Sequence, residues 1–216
     1  MRRTKADAEA TRQQILSAAE RVFYEKGVST ATMEDVAHVA GVTRGAIYWH
    51  FQNKTDLFLA LYKSVPLPQE DMIDRGLEAP GSDALALVES MAGDWLDHFS
   101  RDEQRQRILT ILLRCDYSGE LSGMLDEQQR MDDQHMRALE LAFARAASEG
   151  QLTPCWTPSS AASALRWMMK GLCTEWLLFG RRFDLAAQGK EGLKRLFSSF
   201  TPQRGAVADV RSPELP

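Results

Sequence analysis

The stretch TMEDVAHVAGVTRGAIYWHFQNK, residues 32–54, decides how this chain is read. Thr32 stands ahead of acidic Glu34 and Asp35, the pattern of a helix N-terminus. Met33, Val36, Ala37 and Ala40 then recur at helical spacing and supply a buried face. Gly41 ends that helix, Val42 is expected to plug the core behind it, and Thr43 caps a second short helix from Arg44 to about His50. Small Ala37 permits a close crossing, and Gly41 accepts a left-handed backbone. Two short helices joined in this way form a helix-turn-helix. The second turns Ala46, Ile47 and Phe51 inward and leaves Thr43, Arg44, Gly45, Tyr48, Trp49 and His50 outside. Hydroxyl, guanidinium and aromatic groups on one outer face suit a DNA major groove. Plainer roles stay open: Tyr48 or Trp49 packing between helices, His50 capping.

The flanking sequence extends the same pattern. From Ala8 to about Lys26, Ile15, Ala19, Val22 and Phe23 share a face, and Gly27 stops the helix. Asn53, with Asp56 three residues on, opens a fourth helix carrying Leu57, Phe58 and Leu61 inward and ending before Pro66. Longer helices follow. One is capped by Ser82 and carries Leu85, Val88, Ala92, Trp95, Leu96 and Phe99; others span about Asp102–Cys115 and Leu121–Glu149. Thr157-Pro158 opens a helix to about Phe179, and a last one covers about Gln188–Phe200. No strand alternation or repeat interrupts the pattern. The expected fold is all-α: a three-helix, helix-turn-helix DNA-binding domain at 1–64, then a larger helical domain at 65–200. Residues 201–216 have little to bury and are expected to be disordered.

Composition narrows the function classes. At 216 residues, 44% hydrophobic and 26% charged, the chain is globular. It lacks the run of about 18 apolar residues that a membrane span needs. The opening MRRTKADAEATRQQ has no apolar core and does not read as a secretory signal. Cys115, Cys155 and Cys173 form neither an even set nor a CxxC pair, which points away from disulfides and zinc and toward a reducing cytoplasm. The net charge of −4 seems opposed to nucleic acid, but it is unevenly placed. Residues 1–64 hold nine Lys/Arg against seven Asp/Glu, with Arg2, Arg3, Lys5 and Arg12 leading; residues 65–216 hold 17 against 23. A polyanion is repelled except at the head, which orients it. On charge alone, a solvated surface is the simpler reading. Nucleophile-elbow, P-loop, dinucleotide and HExxH signatures are missing, so no enzyme, cofactor or metal is expected. His38, His50, His98 and His135 lack ligand spacing, and Asp132, Asp133 and His135 read as a solvated face.

The stretch VAGVTRGAIYWHFQNKTDLF, residues 39–58, closely resembles the TetR family of bacterial transcriptional regulators, and most of all its AcrR-type branch, which represses multidrug efflux pumps. The opening RRTKADAEATRQQILSAAERVFYEKG and the Thr30/Thr32 segment resemble the same branch. Close resemblance covers about the first 60 residues; beyond them it lies in helix order and length. It implies that Thr43, Arg44 and Gly45 meet base edges, with Thr32 beside them, and that Tyr48, Trp49 and His50 contact phosphates and bases. It implies a phosphate-binding role for Lys54 at the start of the fourth helix. Arg44 is the choice for direct readout of guanine.

The resemblance further implies a homodimer through the last two helices, reading a palindromic double-stranded operator. Trp167, Met168, Met169, Leu172, Trp176, Leu177 and Phe179 make one apolar helix, and Leu193, Leu196, Phe197 and Phe200 add a stripe. A fully internal helix is the competing reading. A hydrophobic small-molecule inducer is expected between helices, with Met91, Trp95, Phe99, Leu109, Leu113, Met136, Met168 and Cys173 as candidate contacts. His98, His135, Arg166, Lys170 and Glu175 are candidates to orient it, and Pro66 and Pro68 to break the connector helix. The expected function is repression of a multidrug efflux operon. The alternatives are control of another pathway by a different inducer, and a helical protein–protein adaptor.

Overall fold

A computed structural model describes residues 5–64 and 83–202. Arg2, Arg3, Pro66, Pro68, Ser82 and the tail from residue 203 lie outside the described residues. Among the described residues there are nine α-helices, one 3₁₀ turn and no strand. The head comprises α1 (Lys5–Lys26), α2 (Met33–Ala40), α3 (Arg44–His50) and α4 (Lys54–Lys63). The body comprises α5 (Ala84–Phe99), α6 (Glu103–Arg114), the 3₁₀ turn Gly119–Leu121, α7 (Gly123–Ser148), α8 (Pro158–Leu178) and α9 (Leu185–Phe200). None is long and apolar enough to cross a membrane.

Local chemistry sets the helix ends. Thr32 accepts a hydrogen bond from the Asp35 amide while the Asp35 carboxylate accepts from the Thr32 amide, both at 3.1 Å, a reciprocal cap. Asp35 also pairs with Lys26 at 2.7 Å, and Lys26 with the cap holds its carboxyl down at about 2. Gly41 turns the chain at φ 64°, the left-handed backbone expected there. Asn53 caps α4 as expected. Asp83 caps α5 in place of Ser82, and Asp184 caps α9, which starts at Leu185, three residues ahead of Gln188.

Two hydrophobic cores form. In the head, Ile15, Ala19, Val36, Ile47, Phe51, Leu57 and Phe58 are buried, with Phe23 edge-on to Phe58 at 5.7 Å. Val42 is only half-buried at its margin. This core takes in Ile108, Ile111, Leu121 and Met124 of the body, so packing continues across residue 64. The body core gathers α5, α7, α8 and α9 around Leu96, Phe99, Phe143, Phe197 and Phe200. Here α9 lies close to its neighbours: a Cβ at Gly189 would come within 2.6 Å of Leu96 Cδ1, and one at Gly192 within 2.5 Å of Met168 Cε.

Candidate nucleic-acid interface and ligand cavity

The head places most of the expected DNA-reading residues on one exposed face. Thr32 and Thr43 are exposed caps, Thr43 accepting from the Ala46 amide at 3.2 Å. Arg44 follows as the first residue of α3, its side chain 74% exposed, with its guanidinium 3.2 Å from Glu34 and 5.6 Å from the centre of the Tyr48 ring. Gly45 has open space where a side chain would begin. Tyr48 and Trp49 are exposed, Trp49 at 73%, so neither packs between the head's helices. His50 is half-buried, with Trp49 edge-on to its ring at 4.6 Å.

Lys54 stands apart from this group. Its side chain is only 12% exposed, and its ammonium donates to the carbonyls of Ser29 (3.1 Å) and Ala31 (3.2 Å) while pairing with Glu120 at 2.7 Å. In this structure it ties the head to the body's 3₁₀ turn rather than facing outward with Arg44. Thr55 Oγ1 donates to the Glu120 carbonyl at 3.0 Å, and Lys63 pairs with Glu127 of α7 at 2.6 Å. Buried Glu20 of α1 accepts from Arg107 and from Gln104, both on α6. A polar seam therefore lies beside the apolar contact of α6 with the head.

The opposite side of α6 borders a cavity of about 220 Å³. Met91 and Trp95 of α5, Leu109 and Leu113 of α6, and Cys173 of α8 line it, five of the eight expected contacts. Three do not. Phe99 is fully buried behind Trp95, the two rings stacked at 4.8 Å; Met136 packs on the body core; Met168 sits at the α9 contact beside Gly192. Val88, Ala92, Leu139, Leu165, Met169 and Thr174 also line the space, and periodicity alone did not separate them from ordinary core. Of the polar candidates, His135, Arg166 and Lys170 reach it. His98 instead pairs with Asp102 at the surface, and Glu175 is not in the wall. Asp132, expected on a solvated face, lines the cavity and pairs with Arg166 (3.3 Å) and Lys170 (2.7 Å). Burial pushes the Cys173 thiol up to about 12, so it is neutral at physiological pH.

The dimer stripe expected on α9 is largely internal: Leu193, Phe197 and Phe200 are buried, Phe200 edge-on to Phe143 and Trp156. On α8 the two readings divide the helix. Cys173 and Trp176 are buried, while Trp167 (65%), Leu178 and Phe179 (57%) are exposed.

An exposed helix-turn-helix on a helical body with a largely apolar cavity is the architecture of a bacterial one-component transcriptional regulator. The chain belongs to the TetR family: residues 15–61 match "Bacterial regulatory proteins, tetR family", and residues 86–201 match "MAATS-type transcriptional repressor, C-terminal region". It is 36% identical to the HTH-type transcriptional repressor BepR of Brucella suis, over 93% of this chain and 96% of that one. Among solved structures it resembles NalD, the secondary repressor of the MexAB-OprM multidrug efflux pump in Pseudomonas aeruginosa. That likeness has a TM-score of 0.83 and 35% identity, over 91% of this chain and all of the other. It also resembles SmeT in complex with triclosan (TM-score 0.80, 29% identity, 96% and 99% coverage); SmeT represses the SmeDEF multidrug efflux pump of Stenotrophomonas maltophilia.

Proposed function

We propose that this protein is a cytoplasmic homodimeric repressor of a multidrug efflux operon, released from a palindromic operator by hydrophobic small molecules. Residues 1–64 read DNA, through Thr32, Thr43, Arg44, Gly45, Tyr48, Trp49 and His50. Residues 65–200 bind ligand and partner. The observation that carries the reading is the double role of α6. Leu109 and Leu113 wall the cavity, Ile108 and Ile111 belong to the head core, and Arg107 holds Glu20 of α1. A ligand that prefers one setting of α6 thereby prefers one setting of the head. The similarity to BepR, NalD and SmeT supports efflux as the regulated process.

The test is quantitative binding of the full chain to the intergenic DNA beside its own gene, against random duplex of equal length, across a salt series. Binding is expected to favour the intergenic site and to weaken steeply with salt, about 0.9 log–log units per phosphate neutralised. Triclosan or a similar hydrophobic compound should release it. Arg44→Ala should cost about 1–3 kcal/mol on the operator and little on random DNA. Equal losses on both would remove Arg44 from base readout, and DNA binding untouched by any hydrophobic compound would refute ligand release.

A further inference from the structure

The cavity's polar edge carries more positive than negative charge. Asp132 is the single carboxylate among its described lining residues, facing Arg166 and Lys170. Its Oδ2 already serves both, 3.3 Å from Arg166 Nη1 and 2.7 Å from Lys170 Nζ. That one anion is shared by two cations, Lys170 mostly exposed to solvent and Arg166 drawn further in, so Arg166 brings to the wall a positive charge that Asp132 answers only in part. Two donors on residues of that wall, Arg166 Nε and Trp95 Nε1, are buried without a hydrogen-bond partner among the described residues. Buried donors left unpaired are costly, and an acceptor entering beside them recovers that cost.

We propose that this cavity selects amphipathic organic acids, with a flat aromatic body along Trp95 and one carboxylate or phenolate reaching the Arg166 guanidinium. The inference rests on reading the cavity as the ligand site and names the ligand's chemical class. Trp95 is held flat by Phe99, 4.8 Å away with 6° between the ring planes, and so presents a fixed aromatic wall. An arginine fork suits a carboxylate in both shape and charge. An organic cation meets the opposite situation: the one carboxylate is already engaged twice, and its own charge adds to the local excess. A neutral aromatic gains the burial and leaves the charge unanswered.

The experiment titrates the purified full chain by calorimetry at neutral pH with three probes sharing one ring system. These are 2-naphthoate, its methyl ester, and 2-naphthylmethylammonium. The acid is expected to bind roughly tenfold or more tighter than the ester, as one charge-assisted hydrogen bond allows, with the ammonium weakest. In Arg166→Gln the acid should fall to about the ester's affinity, with the ester unchanged, and Arg166→Lys should restore part of the preference. An ester or ammonium that binds as tightly as the acid overturns the inference and leaves the cavity reading standing. An acid preference that survives Arg166→Gln overturns the role given to Arg166. Binding of none of the three overturns the cavity reading itself, and this inference with it. The wild-type ranking decides the matter even where a variant fails to fold.

Discussion

Cys173 shows how one side chain reports on the state of the cavity. It is 2% exposed and burial holds its thiol near 12, whereas Cys155 is exposed on the loop before α8. A raised folded-state value means the stability from burying the neutral thiol is complete below about 9, the unfolded value, and is lost as pH rises toward 12. At pH 8 a disulfide reagent should therefore modify Cys155 rapidly and Cys173 only slowly in a Cys115→Ser background, and a bound ligand should slow Cys173 further. Equal rates for the two thiols in the folded protein would show that the cavity wall opens freely. Arg44 illustrates what single positions reveal in a sequence and what they do not. Its place at the start of α3 was legible from Thr43 and Gly41, because caps and turns are local chemistry. Its partner Glu34 comes from another helix, and only the crossing of α2 and α3 brings the two together.

At the scale of elements, α6 is the helix through which the proposed mechanism couples the head to the body. Arg107 is its polar link, donating to a Glu20 carboxylate that is 6% exposed. Arg107→Met leaves that carboxylate buried with Gln104 as its remaining donor on α6, which should cost about 1–3 kcal/mol in urea unfolding. Release of DNA by ligand should also blunt, while affinity in the absence of ligand changes less. Full ligand response in a destabilised Arg107→Met protein would place the coupling in the apolar contacts of Ile108 and Ile111 instead. The helices themselves were almost all legible, since 3.6-residue periodicity and capping residues act within one segment. The cavity was legible only in part, because its wall is assembled from four helices. Met136 and Met168 share the chemistry of Met91 and face elsewhere. Asp132 read as solvated because its partners, Arg166 and Lys170, lie 34 and 38 positions away.

For the whole molecule, the exposed Trp167 on α8 and Phe179 just past its end are large apolar side chains of the body that lack a cover. In the proposed dimer they lie in the interface, and the reading of two half-sites depends on them. Trp167→Glu with Phe179→Ser should yield a folded monomer by sedimentation, with operator affinity reduced by at least about 100-fold as half-sites are read singly. A variant that remains dimeric would move the interface elsewhere. The acidic total of −4 is compatible with all of this, since the acidic residues lie mostly in the body and the mildly basic segment is the head. The Lys54–Glu120 contact has one more consequence. Were Lys54 to meet an operator phosphate, as the family resemblance implies, its ammonium would be shared with the Glu120 carboxylate, and the body's 3₁₀ turn and the operator would compete for the same cation. Each such exchange changes the number of counterions that DNA binding sets free. The ionic-strength dependence of DNA binding would then count how many of the head's charges the body is holding back, and would serve as a gauge of conformation as well as of affinity.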